Sequence, residues 1–185
     1  MAFVEGPLKL AAQAFAMMSV GILTSLLVWN LTHQPTPPKV GAPAPGFSLP
    51  RLNGEGSLSL RSLRGKAVVL NFFQSACYAC KLESPVLERL WRQDRSRGVV
   101  VLGVDANELS RGDGTRFVRA HGLTYPIVFD QIGIVAANGY AAFDLPVTYV
   151  LNRRGRIVGG ELLGALDNQT YEQTIRRYVD AALKS

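Results

Sequence analysis

Cys77 and Cys80 are the only cysteines in a chain of 185 residues, and they form a Cys-Tyr-Ala-Cys motif. A pair at this spacing can pack as two small hydrophobes, supply half of a zinc site, or cycle between dithiol and disulfide. Its position favours the last. The pair directly follows Ala67-Val68-Val69-Leu70-Asn71-Phe72-Phe73, a near-continuous apolar run of the kind that forms a strand buried on both faces, and it opens a stretch of helical periodicity. At a helix N-terminus the unpaired N–H groups and the macrodipole favour a thiolate, so Cys77 is the expected attacking sulfur and Cys80 the resolving one. Zinc lacks ligands: the two histidines, His33 and His121, lie far along the chain from the motif, and there is no second cysteine pair. No metal is therefore expected. A peroxidase reading also fails locally, because Gln74 stands three residues before Cys77 where a peroxidatic cysteine would want Thr.

The elements that must hold this motif are legible around it. Leu82, Val86, Leu87, Leu90 and Trp91 recur at helical spacing over 78–95, and Gly98-Val99-Val100-Val101-Leu102-Gly103-Val104 is a second buried-strand pattern. Together they predict a βαβ unit with parallel strands. A further helix is expected over 114–120. Strands at 146–151 and 156–158 flank the turn-rich Asn152-Arg153-Arg154-Gly155, which predicts a hairpin. A last helix, capped by Asp167 or Asn168, would bury Tyr171, Ile175, Tyr178, Val179 and Leu183. The order predicts an α/β fold, a mixed sheet with helices on both faces.

The N-terminal part differs in kind. From Leu10 to Thr32 there is no ionisable side chain, and as a helix this run would reach about 34 Å against a hydrocarbon core of about 30 Å. Residues 1–33 thus read as an uncleaved signal anchor: no small-x-small site follows the apolar run directly, and a lipidated N-terminal cysteine is absent. Gln34 to Pro50 is Pro-rich, an extended spacer between membrane and domain; residues 34–45 are assigned to the linker and 46–185 to the folded domain. A composition with 48% hydrophobic and 18% charged residues excludes a disordered chain. The 20 Lys and Arg against 14 Asp and Glu leave +6, but no aromatic-interleaved basic motif accompanies the excess, so no nucleic-acid partner is expected.

Taken with Gly65-Lys66, Lys81-Leu82-Glu83-Ser84-Pro85 and Leu145-Pro146-Val147-Thr148-Tyr149, the motif resembles the thioredoxin-like domain of membrane-anchored disulfide reductases of the TlpA, ResA and CcmG group. Gly41, Pro45, Phe47, Leu60 and Leu63 fit that family's entry segment. The resemblance implies a thioredoxin-like fold with extra N-terminal strands and an extracytoplasmic domain on a single-pass anchor. It further implies disulfide exchange with protein substrates, an upstream membrane thiol-disulfide donor, and in the best-known members a role in cytochrome c maturation. No cofactor beyond the Cys77–Cys80 disulfide is implied. Tyr78, Ala79, Leu145 and Pro146 are the candidate substrate-binding residues, with a cis Leu145–Pro146 bond presenting the Leu145 backbone to an extended segment. Ala76, Tyr78-Ala79 and Asp144 depart from the family pattern, and Asn71 replaces the acid that several thioredoxins bury under the dithiol. A proton-relaying carboxylate must then come from elsewhere, with Glu83 and Asp105 as candidates; each reads equally as an acid without chemistry. A thioredoxin-fold binding module or Cu(I) metallochaperone is the alternative function, since paired thiolates suit Cu(I).

Overall fold

The structure is a computed structural model that describes residues 5–163 and 168–185. The chain divides into two compact units, Met1–Gln34 and Pro35–Ser185. The first is one helix, α1 (Glu5–Thr32). Its stretch Lys9–Thr32 is long and apolar enough to cross a bilayer, and Leu23, Leu26, Leu27 and Trp29 along it are exposed.

The second unit is built on a five-stranded sheet. Along the chain run β1 (Ser48–Pro50), β2 (Ser57–Ser59), β3 (Ala67–Phe73), α2 (Tyr78–Asp94), β4 (Val99–Ala106), α3 (Arg111–Ala120), β5 (Ile127–Asp130), β6 (Val147–Leu151), β7 (Ile157–Leu163) and α4 (Asn168–Lys184). The sheet order is β5-β4-β3-β6-β7; β3, β4 and β5 are parallel, whereas β6 and β7 are antiparallel to their neighbours. Every residue of β3 and β4 is buried, as expected of central parallel strands covered on both faces. The helices α2, α3 and α4 cover one face through Val86, Leu87, Leu90, Phe117, Ile175 and Val179. The other face is covered by the β1–β2 hairpin and by helical turns at Leu60–Leu63 and Val135–Gly139, whose Leu58, Leu60 and Ala136 pack on Leu70, Phe72 and Val104. The edge of β5 is closed by the loop after β1: Leu52 N–H donates to the Ile127 carbonyl at 2.7 Å, and the Asn53 amide bonds both Tyr125 O and Ile127 N. That masks a strand edge otherwise open to aberrant pairing.

Three local differences from expectation have physical reasons. The helix expected over 114–120 begins at Arg111, because Ser110 is its N-cap, its hydroxyl accepting from Asp113 N. Strand β5 escapes the periodicity reading, being four residues long and directly preceded by Pro126. On α2 the expected stripe holds at Val86, Leu87 and Leu90 but not in the first turns, where Leu82 is exposed while Glu83 and Ser84 turn inward. Tyr171, Ile175 and Val179 of α4 are buried as the pattern requires; of its two expected caps, Asp167 lies outside the described residues. Pro85 interrupts the bonding of α2, since it has no N–H for the carbonyl of Lys81. The Ser84 hydroxyl donates to that carbonyl instead, at 3.1 Å.

Candidate active site

The C-terminal end of β3 delivers the chain to the start of α2, and there Cys77 and Cys80 form a disulfide, their Cα atoms 5.3 Å apart. Cys77 is the N-cap of α2, with extended backbone, and its Sγ accepts from the Cys80 N–H at 3.0 Å. A sulfur that accepts from the first turn gains most from that bond when it carries negative charge. The two sulfurs differ in access: Cys77 is half-buried, Cys80 is buried. Tyr78 stands 73% exposed beside them, and Ala79 is half-buried.

The end of β3 at which the motif sits is also the end at which β6 begins, since the two strands are antiparallel with Phe72 opposite Val147. The segment entering β6 therefore faces the dithiol. Its Leu145–Pro146 peptide is cis, and the Leu145 carbonyl oxygen lies 3.5 Å from Cys77 Sγ. In the disulfide this is a close approach; in the dithiol the Cys77 S–H has an acceptor already in place. Beside Leu145 a cavity of ≈ 270 Å3 opens between Phe143 and Leu163.

Of the buried acids at this end of the sheet, Glu83 and Asp105 lie in separate settings. Glu83, one turn beyond Cys80, accepts from Asn71 Nδ2 at 2.6 Å. The same amide donates to Thr148 Oγ1 at 2.9 Å, and Thr148 Oγ1 is 3.1 Å from the Tyr171 hydroxyl, which in turn bonds Glu83. Burial pushes the Glu83 carboxyl up to about 8, against the lowering effect of Asn71 and Tyr171. The carboxylate missing from β3 thus arrives from α2, with the amide of Asn71 holding it. Asp105, the partner of Phe73 in the β3–β4 register, is buried with neither carboxyl oxygen hydrogen-bonded as an acceptor. Burial, and then the neighbouring Glu108 carboxylate, pushes it up to about 8; a protonated Asp105 has Glu108 as its natural acceptor.

Glu108 carries no signal in the sequence, yet it fixes the loop that leads into the motif. Its carboxylate accepts from the Ser75 N–H and, at 3.0 Å, from the Ser75 hydroxyl, while Gln74 Nε2 donates to the Asn107 carbonyl. Residues 33 apart in sequence are clamped just before Cys77 by these contacts. The structure thus brings Cys77, Cys80, Leu145 and Pro146 together, sets Glu83 one turn away on the same helix, and holds Asp105 with Glu108 under the preceding loop. Among the described residues no group of three or more His, Cys, Asp or Glu side chains is placed to hold a metal ion.

The family model described as AhpC/TSA matches residues 40–159. A thiol-disulfide oxidoreductase ResA of Halalkalibacterium halodurans is 39% identical over 120 residues, which cover 65% of this chain and 66% of that protein. The chain therefore spans just under two thirds of that relative's length. A thioredoxin-like protein YneN of Bacillus subtilis is 34% identical over 164 residues, 84% of this chain and 94% of its own. Among solved structures, a secreted thiol-disulfide isomerase of Corynebacterium glutamicum superposes with TM-score 0.64 at 26% identity, covering 74% of this chain and 85% of its own. A thiol:disulfide interchange protein of the thioredoxin family from Chlorobium tepidum gives 0.62 at 25%, covering 78% and 98%. The chain belongs to the AhpC/TSA family as a thiol-disulfide oxidoreductase of the ResA type.

Proposed function

We propose that this protein is a membrane-tethered, extracytoplasmic reductant of protein disulfides, with residues 1–33 as anchor, the Pro-rich stretch after them as spacer, and the thioredoxin-like unit, which the chain joins at Gly41, as the catalytic domain. The observation that carries the chemistry is the asymmetry of the pair: Cys77 caps α2 and is accessible, Cys80 is buried behind it. In the reduced protein the Cys77 thiolate attacks one sulfur of a substrate disulfide, forming a mixed disulfide and expelling the other substrate sulfur as a thiolate. Cys80 then attacks Cys77 Sγ, releasing the second substrate thiolate and leaving the Cys77–Cys80 disulfide. Two electrons pass to the substrate, and the two protons leave the cysteines for the substrate sulfurs. An upstream membrane thiol-disulfide donor would restore the dithiol.

Glu83 supports the proton side of this exchange. With its carboxyl near 8, about nine-tenths of it is protonated at pH 7. On re-reduction it can hand a proton to the departing Cys80 thiolate, and the carboxylate can take one back when Cys80 must ionise. A group matched to thiol basicity transfers protons in either direction at little cost.

Protein segments suit the surface at this end. Tyr78, Leu109, Ile132, Ile134 and Phe143 are exposed, on the start of α2 and on the loops after β4, after β5 and before β6, at the same end of the sheet as the dithiol. They form an apolar rim, and the Leu145 backbone offers strand-like pairing to an extended segment. Cytochrome c maturation is the pathway we propose, on the resemblance of the sequence to the membrane-anchored disulfide reductases.

The trapping experiment decides. Cys80→Ser, expressed with its anchor in the native host, should accumulate covalent adducts that disappear on reduction, with an apocytochrome c or an assembly partner among them. Cys77→Ser should give none. If Cys80→Ser traps nothing, and the wild-type dithiol binds Cu(I) tightly but does not reduce insulin, the reductase reading fails in favour of a metallochaperone.

A further inference from the structure

At the opposite end of the sheet from the dithiol, two turns carry six exposed basic side chains: Arg61, Arg64 and Lys66 before β3, and Arg153, Arg154 and Arg156 between β6 and β7. Neither 60–66 nor 151–156 contains an acid. Among the described residues none of the six forms an ion pair, whereas Arg89, Arg92, Arg97, Arg116 and Arg176 are all paired. The turns are held as one surface: Gly65 N–H donates to the Arg153 carbonyl at 2.8 Å, and the Arg64 guanidinium lies so close over Gly155 that a Cβ there would overlap it. Gly155 has φ +68°, which also favours glycine. A cavity of ≈ 540 Å3 opens beneath Arg61, Arg64 and Lys66.

The chain enters the folded unit at this same place. Gly41 N–H donates to the Ile157 carbonyl, Ala44 N–H to the Gly155 carbonyl, and Arg156 Nη1 to the Gly41 carbonyl at 2.7 Å. Gly41 follows Thr32, the last residue of α1, by nine residues that include Pro35, Pro37 and Pro38; in extended form this spacer reaches about 28 Å. The basic end is therefore where the spacer from α1 joins the domain. We propose that this basic end docks on the anionic lipid headgroups of the membrane crossed by α1, so that the dithiol, separated from it by about 20 Å of β3, is presented away from the bilayer. The inference rests on the anchor reading above and adds an orientation to it. Six cations beyond a short spacer are drawn to anionic headgroups within a Debye length, an attraction that salt removes.

The test uses the full chain in nanodiscs of phosphatidylcholine alone or mixed with phosphatidylglycerol, read by hydrogen exchange of backbone amides. Exchange in 61–66 and 153–156 should slow at least about tenfold in the anionic discs, as two or more engaged basic side chains would require, and recover at high salt. Arg61→Glu/Arg64→Glu/Arg153→Glu/Arg154→Glu should abolish the protection while insulin reduction in detergent stays unchanged. The salt arm, made on the wild-type chain, does not depend on that variant folding. Retention in both discs with equal exchange overturns docking alone. Protection by a soluble polyanion but not by anionic discs does the same. A chain washed out of both lipids at alkaline pH overturns the anchor, and the docking with it.

Discussion

Replacing Glu83 by Gln keeps an acceptor for Asn71 and removes only the titration, so it isolates the cost of charging a carboxyl at that site. In the folded protein the group holds its proton up to about 8, against 4.5 for an ordinary glutamate. A raised folded-state value means that the folded chain binds more protons than the unfolded one in this window. Stability is therefore fully present below pH 4.5 and falls as the pH climbs through 8. Between pH 6 and pH 9 the loss from this one group comes to about 2–3 kcal/mol. Because the carboxyl is buried, solvent screening discounts little of it. Urea denaturation of the oxidised wild type and of Glu83→Gln at the two pH values gives the comparison. The wild type should lose about 2–3 kcal/mol more than the variant on going to pH 9. Asp105 titrates in both proteins and cancels in the difference. Parallel pH profiles would refute the reasoning, because they would mean that Glu83 is ionised in the folded state at neutral pH and stores no proton. The same variant should turn over insulin more slowly and lose the limb of its pH–rate profile near 8.

Asp105→Asn should gain about 2–3 kcal/mol on the wild type between pH 6 and pH 9, since the amide can donate to Glu108 without ever charging; parallel pH profiles would sink the protonated-acid assignment. Gly114→Ala, which on helix propensity alone would gain about 1 kcal/mol, should instead destabilise by about 2–3 kcal/mol in thermal melts, because its Cβ would overlap the Asp105 carboxyl. Iodoacetamide mapping of the reduced protein should modify Cys77 first and with an apparent pKa below that of a free thiol; equal rates at the two cysteines would remove the attacking role. Glu108→Gln should loosen the loop before Cys77, seen as faster amide exchange at Ser75, with the disulfide still able to form.

The βαβ core and its motif were legible because their signals are local: a buried run, a Cys-x-x-Cys, and a helical period within thirty residues. The hairpin around Asn152 was legible for the same reason, and there the Asn152 side chain accepts from Arg154 N and Arg156 N. What escaped was long-range or inverted. Nothing in the order of residues says that Leu82 should face water while Glu83 turns inward, since hydrophobicity argues the reverse. The inversion becomes intelligible only once Asn71, twelve positions earlier, and Thr148, on another strand, are seen to offer the hydrogen bonds that make an acid tolerable there. The Glu108 clamp is likewise a contact between two loops that only the parallel pairing of β3 and β4 brings side by side.

The placement of Glu83 has a consequence for how this chemistry can be moved and varied. Cys80 and Glu83 are separated by three helical residues, about 4.5 Å of rise, and that interval is set by the helix itself rather than by how the helix seats on the sheet. Thiol and acid therefore travel as a cassette, Cys77 through Glu83, and drift in the sheet leaves their spacing untouched. What the rest of the fold contributes is one socket, the amide of Asn71 on β3 backed by Thr148 of β6 and by Tyr171 from α4. Transplanting the cassette onto another thioredoxin-like scaffold should then require an amide at the Asn71 position and little else, whereas a scaffold that already buries an acid there would set two carboxyls against each other and reject the graft.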